Sequence, residues 1–138
     1  MPITPFEIHR QEILEIKADT HALYAKSGWL ARSYFGVDPL TTSEYLVRPG
    51  LILAKSTDTR LAGYYVPYHS DAAYGAGSDT AFGVLDQLVD LTTTDQAVAP
   101  LVHGKLIEAN CYIFNETQAQ STTIANAIKT ALSNIVWV

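Results

Sequence analysis

Only one stretch of this chain carries an unbroken helical stripe. Ile124, Ala127, Ile128, Ala131 and Leu132 fall at i, i+3, i+4, i+7 and i+8, which is one face of an amphipathic helix. Ser121 or Thr122 can cap its start, and Asn134 can take the left-handed position that closes a helix. Residues 135–138 (IVWV) then read as a last short strand. The other patterned segments read as strands. Pro49 and Gly50 mark a turn into Leu51, Ile52, Leu53 and Ala54, and residues 58–63 turn the chain back. Tyr64, Tyr65, Val66 and Tyr68 form a second strand, with Pro67 at a sheet edge or near the strand's end and an edge strand implied. Residues 80–91 (TAFGVLDQLVDL) fit a helical stripe through Val84, Leu85, Leu88 and Leu91. Gly83 inside it and the three threonines after it favour a strand. Residues 97–114 read as a long central strand kinked or bulged at Gly104. The expectation is a mainly β chain with one C-terminal α-helix.

The first 44 residues differ. Phe6, Ile8, Ile13, Leu14 and Ile16 alternate with His9, Arg10, Glu12, Glu15 and Lys17 at neither a 3.6 nor a 2.0 period, and Pro2 and Pro5 favour extended backbone. Residues 1–44 are expected to be an extended N-terminal arm and connecting segment, with Trp29, Tyr34 and Phe35 as aromatic anchors between Gly28 and Gly36. Residues 45–138 are expected to be a compact β domain with the C-terminal helix.

A chain of 138 residues, 48% apolar, buries roughly two-thirds of its unfolded surface and needs no metal or disulfide staple. Cys111, the single cysteine, excludes an internal disulfide and reads as a small buried hydrophobe. With 9 basic and 14 acidic side chains spread singly and a net charge of -5, no basic stripe for nucleic acid can form. The longest apolar runs are far short of the ~20 residues that span a bilayer. The amino-terminal stretch does not read as a secretory signal, so a cytoplasmic origin is the default expectation.

Chemistry-bearing motifs are sparse. His9, His21, His69 and His103 stand in no metal-ligand spacing, and His9 with Glu12 is the closest approach. His69, Ser70 and Asp71 are adjacent, which a converging triad does not allow. Gly75 and Gly77 lack the residues that complete a phosphate loop. Asp86 and Asp90 can share one face, with a polar solvent face the better reading. No catalytic residue, metal or cofactor is expected. Seven of the eight tyrosines lie between Tyr24 and Tyr74, and Tyr64, Tyr65, Tyr68 and Tyr74 are dense enough to point to a protein interface as well as to core.

The ordered set of segments from Arg48 onward resembles the head decoration proteins of tailed phages, the lambda type. Residues 49–54 (PGLILA), 63–68 (GYYVPY), 81–91 (AFGVLDQLVDL), 101–108 (LVHGKLIE) and the terminal helix with residues 135–138 match that family's segments in order, over about two-thirds of the chain. The resemblance implies a non-enzymatic virion structural protein of the β-tulip or β-clip kind. Such a protein sits on the outer surface of the capsid as homotrimers at three-fold and quasi-three-fold sites and stabilises the expanded head. It implies that the major capsid protein and the chain itself are the partners. By the same resemblance the arm adds a strand to the capsid protein, with Pro5, Phe6, Ile8, Ile13, Leu14, Ile16 and Trp29 as capsid-binding candidates. Tyr64, Tyr65, Tyr68 and Tyr74 become candidates for the trimer interface. The alternatives are another virion module, from tail or baseplate, and a small hydrolase using Asp86 or His103 with Glu108.

Overall fold

The computed structural model describes residues 16–35, 45–69, 80–113 and 126–138. The arm candidates Pro5, Phe6, Ile8, Ile13 and Leu14, the interface candidate Tyr74, and Ile124 with its capping residues lie outside them. Among the described residues the strands are β1 (Lys17–Tyr24), β2 (Gly28–Leu30), β3 (Leu46–Val47), β4 (Ile52–Lys55), β5 (Tyr64–Pro67), β6 (Ala81–Val84), β7 (Val89–Asp90), β8 (Gln96–Val98), β9 (Leu101–Leu106) and β10 (Ile135–Trp137). A short helix, α1 (Asn126–Ala131), precedes β10. The fold is mainly β with a short C-terminal helix.

Eight strands form one sheet in the order β1-β9-β6-β4-β5-β2-β8, with β10 also on β9, and β3 pairs β7 separately. Pairing is antiparallel except for β2 with β5 and β10 with β9. β6 and β10 share one side of β9, β6 at Leu101 and β10 from Gly104 to Leu106.

The middle of this order is β4, not the 97–114 segment expected there. The run from Leu51 to Ala54 is apolar at every position because it is buried on both faces, and only Lys55 at the strand's end is exposed. Ile52 faces a core with Ile16, Val84, Leu101, Leu106, Cys111, Ile128 and Leu132. Leu51 and Leu53 face a second core with Leu30, Tyr65, Leu85, Leu91, Val98 and Tyr112. The GYYVPY strand, expected at an edge because of Pro67, is interior, lying between β4 and β2. The proline is tolerated because β2 pairs only with Tyr64 and Tyr65. By Pro67 that neighbour has ended, so the missing N–H interrupts no ladder bond.

The irregularity expected in β9 at Gly104 is carried by its partner. Between Lys17 and Ala22, β1 advances five residues while β9 advances two, from Leu106 to Gly104. A bulged edge of this kind resists pairing with stray strands. At the other end, α1 buries Ile128 and the following Leu132, while Ala127 and Ala131 are exposed, so the apolar stripe is narrower than its spacing implied. Asn134 does not take the left-handed conformation expected of it; among described non-glycine residues that belongs to Tyr45, at φ 58°. The chain leaves the helix through the Leu132 N–H to Ile128 and Ile135 N–H to Leu132 bonds, and the Asn134 carbonyl accepts from Gly104 N–H.

Cys111 is fully buried, and its thiol lies 3.6 Å from the Ile107 carbonyl. Burial, with a smaller contribution from the Glu108 carboxylate, pushes that thiol up to about 12. At pH 8.5 iodoacetamide is therefore expected to label Cys111 at least about a hundredfold more slowly in the folded chain than in denaturant, since the thiolate is the nucleophile. Because the folded value lies above the ordinary 9.0, its stability contribution is intact below pH 9 and falls as pH rises toward 12. Equal labelling of native and denatured protein would contradict this placement.

Candidate interaction surface

Two patches of exposed apolar side chains stand at opposite ends of the strand order. The first is built on β5, β2 and β8. Trp29 is the register partner of Tyr64 on one side and of Ala97 on the other, so the three share a face. Trp29 is 48% exposed. One residue along, Leu30 and Tyr65 point into the second core. The strict period of two on these short strands makes the outward row a consequence of the buried one.

Gly28 permits this packing. A Cβ there would lie 2.5 Å from the Gly63 carbonyl oxygen and 2.6 Å from the Tyr65 ring, so only glycine lets β2 run this close to β5. The Trp29 N–H donates to that same carbonyl at 3.1 Å. Asp95 ties the elements around the row together. One carboxylate oxygen accepts from the Arg32 N–H at 2.8 Å and the other from the Tyr64 hydroxyl at 3.0 Å. Donation to that carboxylate is the main reason the Tyr64 hydroxyl titrates above its ordinary value. Arg32 continues outward, with Nε on the Thr92 carbonyl and the guanidinium 3.9 Å above the Tyr45 ring. Past Ala97, a shallow groove of about 200 Å³ is shared with Leu88, itself exposed.

The second patch is on β1, β9 and β10. Leu23 pairs in register with His103 and Val136 with Lys105. His103 and Lys105 are two apart, so all four share the face opposite to buried Leu106. Leu23 and Val136 are exposed, as are Tyr24 and Val138 nearby. The Tyr24 hydroxyl donates to Asp86, which also pairs with Lys17 at 3.3 Å. The bond to Asp86 raises both Tyr24 and Lys17 above their ordinary values.

The sequence candidates fall in different places. Trp29 is on the exposed row, and Tyr64 stands beside it half-buried. Ile16 is 2% exposed and packs the chain's own first core, and Tyr65 and Tyr68 are buried at 5% and 6%. Their side chains pack within the chain, the Tyr65 hydroxyl donating to the Lys26 carbonyl at 2.7 Å. Asp90 accepts from the Thr92 N–H and hydroxyl, which lowers its carboxyl below the ordinary value. Glu108 pairs with Lys129 at 2.8 Å. Among the described residues no group of three or more His, Cys, Asp or Glu is placed to hold a metal ion, and no helix is long and apolar enough to cross a membrane.

Sequence reading missed the row because it depends on register between segments 35 residues apart. It also missed Arg48, which is buried with its guanidinium 3.6 Å above the Tyr112 ring while the Tyr112 hydroxyl donates to the Arg48 carbonyl. Comparison of the chain with protein-family models, with curated proteins and with solved structures finds no match.

Proposed function

We propose that this chain is a phage capsid decoration protein, a non-enzymatic virion component that binds the expanded head from outside as trimers and stabilises it. The observation that carries the reading is the pair of exposed apolar patches, Trp29–Tyr64–Ala97 and Leu23–Val136, at opposite ends of one sheet. A cementing protein must hold two neighbours at once, copies of itself and the capsid subunits beneath, and two separate patches suit that need. The ordered resemblance of the segments from Arg48 onward supports it, and a mainly β fold ending in a helix and a short strand is consistent with a β-tulip or β-clip architecture.

The mechanism is linkage. A ligand that binds the expanded shell and not the compact or ruptured one stabilises the expanded shell in proportion to occupancy. Contacts that are weak singly gain by avidity when each trimer touches several subunits. The lattice positions that accept the trimer arise only when expansion brings three capsid subunits into place. Purified protein is therefore expected to co-sediment saturably with expanded heads, near one copy per capsid subunit, and not with unexpanded heads. Absence of binding to either form would remove this function and bring forward a tail or baseplate role.

A further inference from the structure

Every other described strand buries at least one side chain, but the described side chains of β1 are exposed or half-buried. The residues on either side of it are fixed. Ile16 is 2% exposed in the first core and its carbonyl accepts from Ile107 N–H at 2.6 Å, while Ala25 N–H donates to the Pro100 carbonyl at 2.8 Å. We infer that β1 is a strap that opens between these two pins as a unit of its own, and that the Asp86 carboxylate is the clasp that holds it shut.

Two observations make β1 the least firmly held strand. Little apolar area goes back into water when it leaves, and elements with few buried contacts open well below the free energy of global unfolding. Its ladder with β9 is also broken twice in eight residues: residues 18–21 stand opposite Lys105 alone, and a second shift falls between Leu23 and Tyr24. What compensates is one side chain. Lys17 and Tyr24 are the first and last residues of β1, and Asp86 takes both, its Oδ2 lying 3.3 Å from Lys17 Nζ and accepting from the Tyr24 hydroxyl. Lys17 Nζ in turn lies 3.5 Å from that hydroxyl, so the two ends of the strap are gathered at one carboxylate.

The clasp stands on a rigid base. Asp86 follows Leu85, which is fully buried and bonded at 2.8 Å on both sides, its N–H to the Leu51 carbonyl and its carbonyl from Gly50 N–H. The Asp86 side chain is 12% exposed, so solvent screens its contacts less than those of a fully exposed pair. The strap matters because Leu23 rides on it. In register with His103, and beside Lys105 and Val136, Leu23 completes the second apolar patch only while β1 is shut. A partner of that patch binds in proportion to the shut fraction, and once bound it holds the strap closed. The strap and clasp follow from this chain alone, whereas what the patch binds rests on the decoration reading.

Hydrogen exchange of the free full chain, read by mass spectrometry at low urea concentrations, tests both parts. Peptides over residues 17–24 should exchange faster than those over 51–55 and with a shallower urea dependence, since a strap exposes less surface than global unfolding does. Asp86→Ala should speed the 17–24 exchange about tenfold, a charge-assisted bond and an ion pair being lost. Asp86→Asn, which keeps an acceptor for the Tyr24 hydroxyl, should speed it about threefold. Gly63→Ala, outside β1, should speed residues 51–55 and leave 17–24 unchanged. One rate and one urea slope for both peptides would overturn the strap, and indifference of 17–24 to Asp86→Ala would overturn the clasp. Bound to expanded heads, the chain should exchange 17–24 at least about tenfold more slowly than when free. Binding without that protection would remove β1 from the contact surface. Absence of binding to heads would sink the shell reading and leave the strap and clasp, which are measured on the free chain, standing.

Discussion

Gly50→Ala is expected to lower the stability of the fold by about 2–6 kcal/mol, as the sum of two penalties. Gly50 has φ +101°, where side chains are strained by about 1–3 kcal/mol. A Cβ there would also stand 2.4 Å from the Asn110 carbonyl oxygen, which is backbone and cannot swing away, with Ile16 and the Cys111 backbone next nearest. Overpacking of that kind costs a further 1–3 kcal/mol or so. Gly50 sits where the two cores meet. Its N–H donates to the Leu85 carbonyl and its carbonyl accepts from Tyr112 N–H, at 2.8 and 2.9 Å, so a shift to relieve the clash pulls on both. Gly63→Ala is the internal control. It has φ +82° with nothing within 4 Å of the added Cβ, so only the conformational penalty of about 1 kcal/mol is expected. Urea unfolding of the two variants should separate them by about 1–5 kcal/mol, a sizeable share of a typical domain's 5–15 kcal/mol. A Gly50 variant no weaker than the Gly63 one would show that the turn into β4 is not packed as described.

The same junction shows what local pattern can and cannot carry. Leu51–Ala54 was legible as a strand because burial on both faces makes every residue apolar, and the Pro49–Gly50 turn before it is a local signal. The C-terminal helix was legible from its 3.6-residue apolar stripe, and the strand after it from a short apolar run following the helix. β1 was not. Its five residues against two on β9 break the alternation that identifies a strand, so KADTHALY read as part of an extended connection when it is built into the sheet. Whether β5 was edge or interior turned on Gly28, 36 positions away in sequence from Tyr64. Of the tyrosines read as a cluster, Tyr65 and Tyr68 went inward and Tyr64 stayed at the surface, a division set by the register with β2 and β4.

Removing residues 1–14 is expected to abolish binding to expanded heads while leaving the fold intact, and the cut must fall before Ile16. The described structure supplies the reason for that limit. Ile16 is buried in the first core, its carbonyl accepts from Ile107 N–H at 2.6 Å, and Lys17 pairs with Asp86. A deletion through residue 17 would open a core cavity, for which an Ile→Ala change alone costs about 2–5 kcal/mol, and any loss of binding would be confounded with unfolding. A deletion ending at Leu14 removes Phe6, Ile8, Ile13 and Leu14 and none of those contacts. In the strand-addition mode proposed for this segment, backbone bonds give affinity and alternate side chains give specificity. Three or four apolar anchors at about 1.5 kcal/mol each correspond to a loss of roughly a thousandfold or more in affinity. Co-sedimentation at a concentration that saturates heads with the full chain should then show none of the truncated protein in the pellet. Its urea midpoint should match the full chain's. Undiminished binding by the truncated protein would move the capsid contact onto the sheet itself. Trp29→Ala, which removes an exposed indole and no core contact, would then be the variant to lose it.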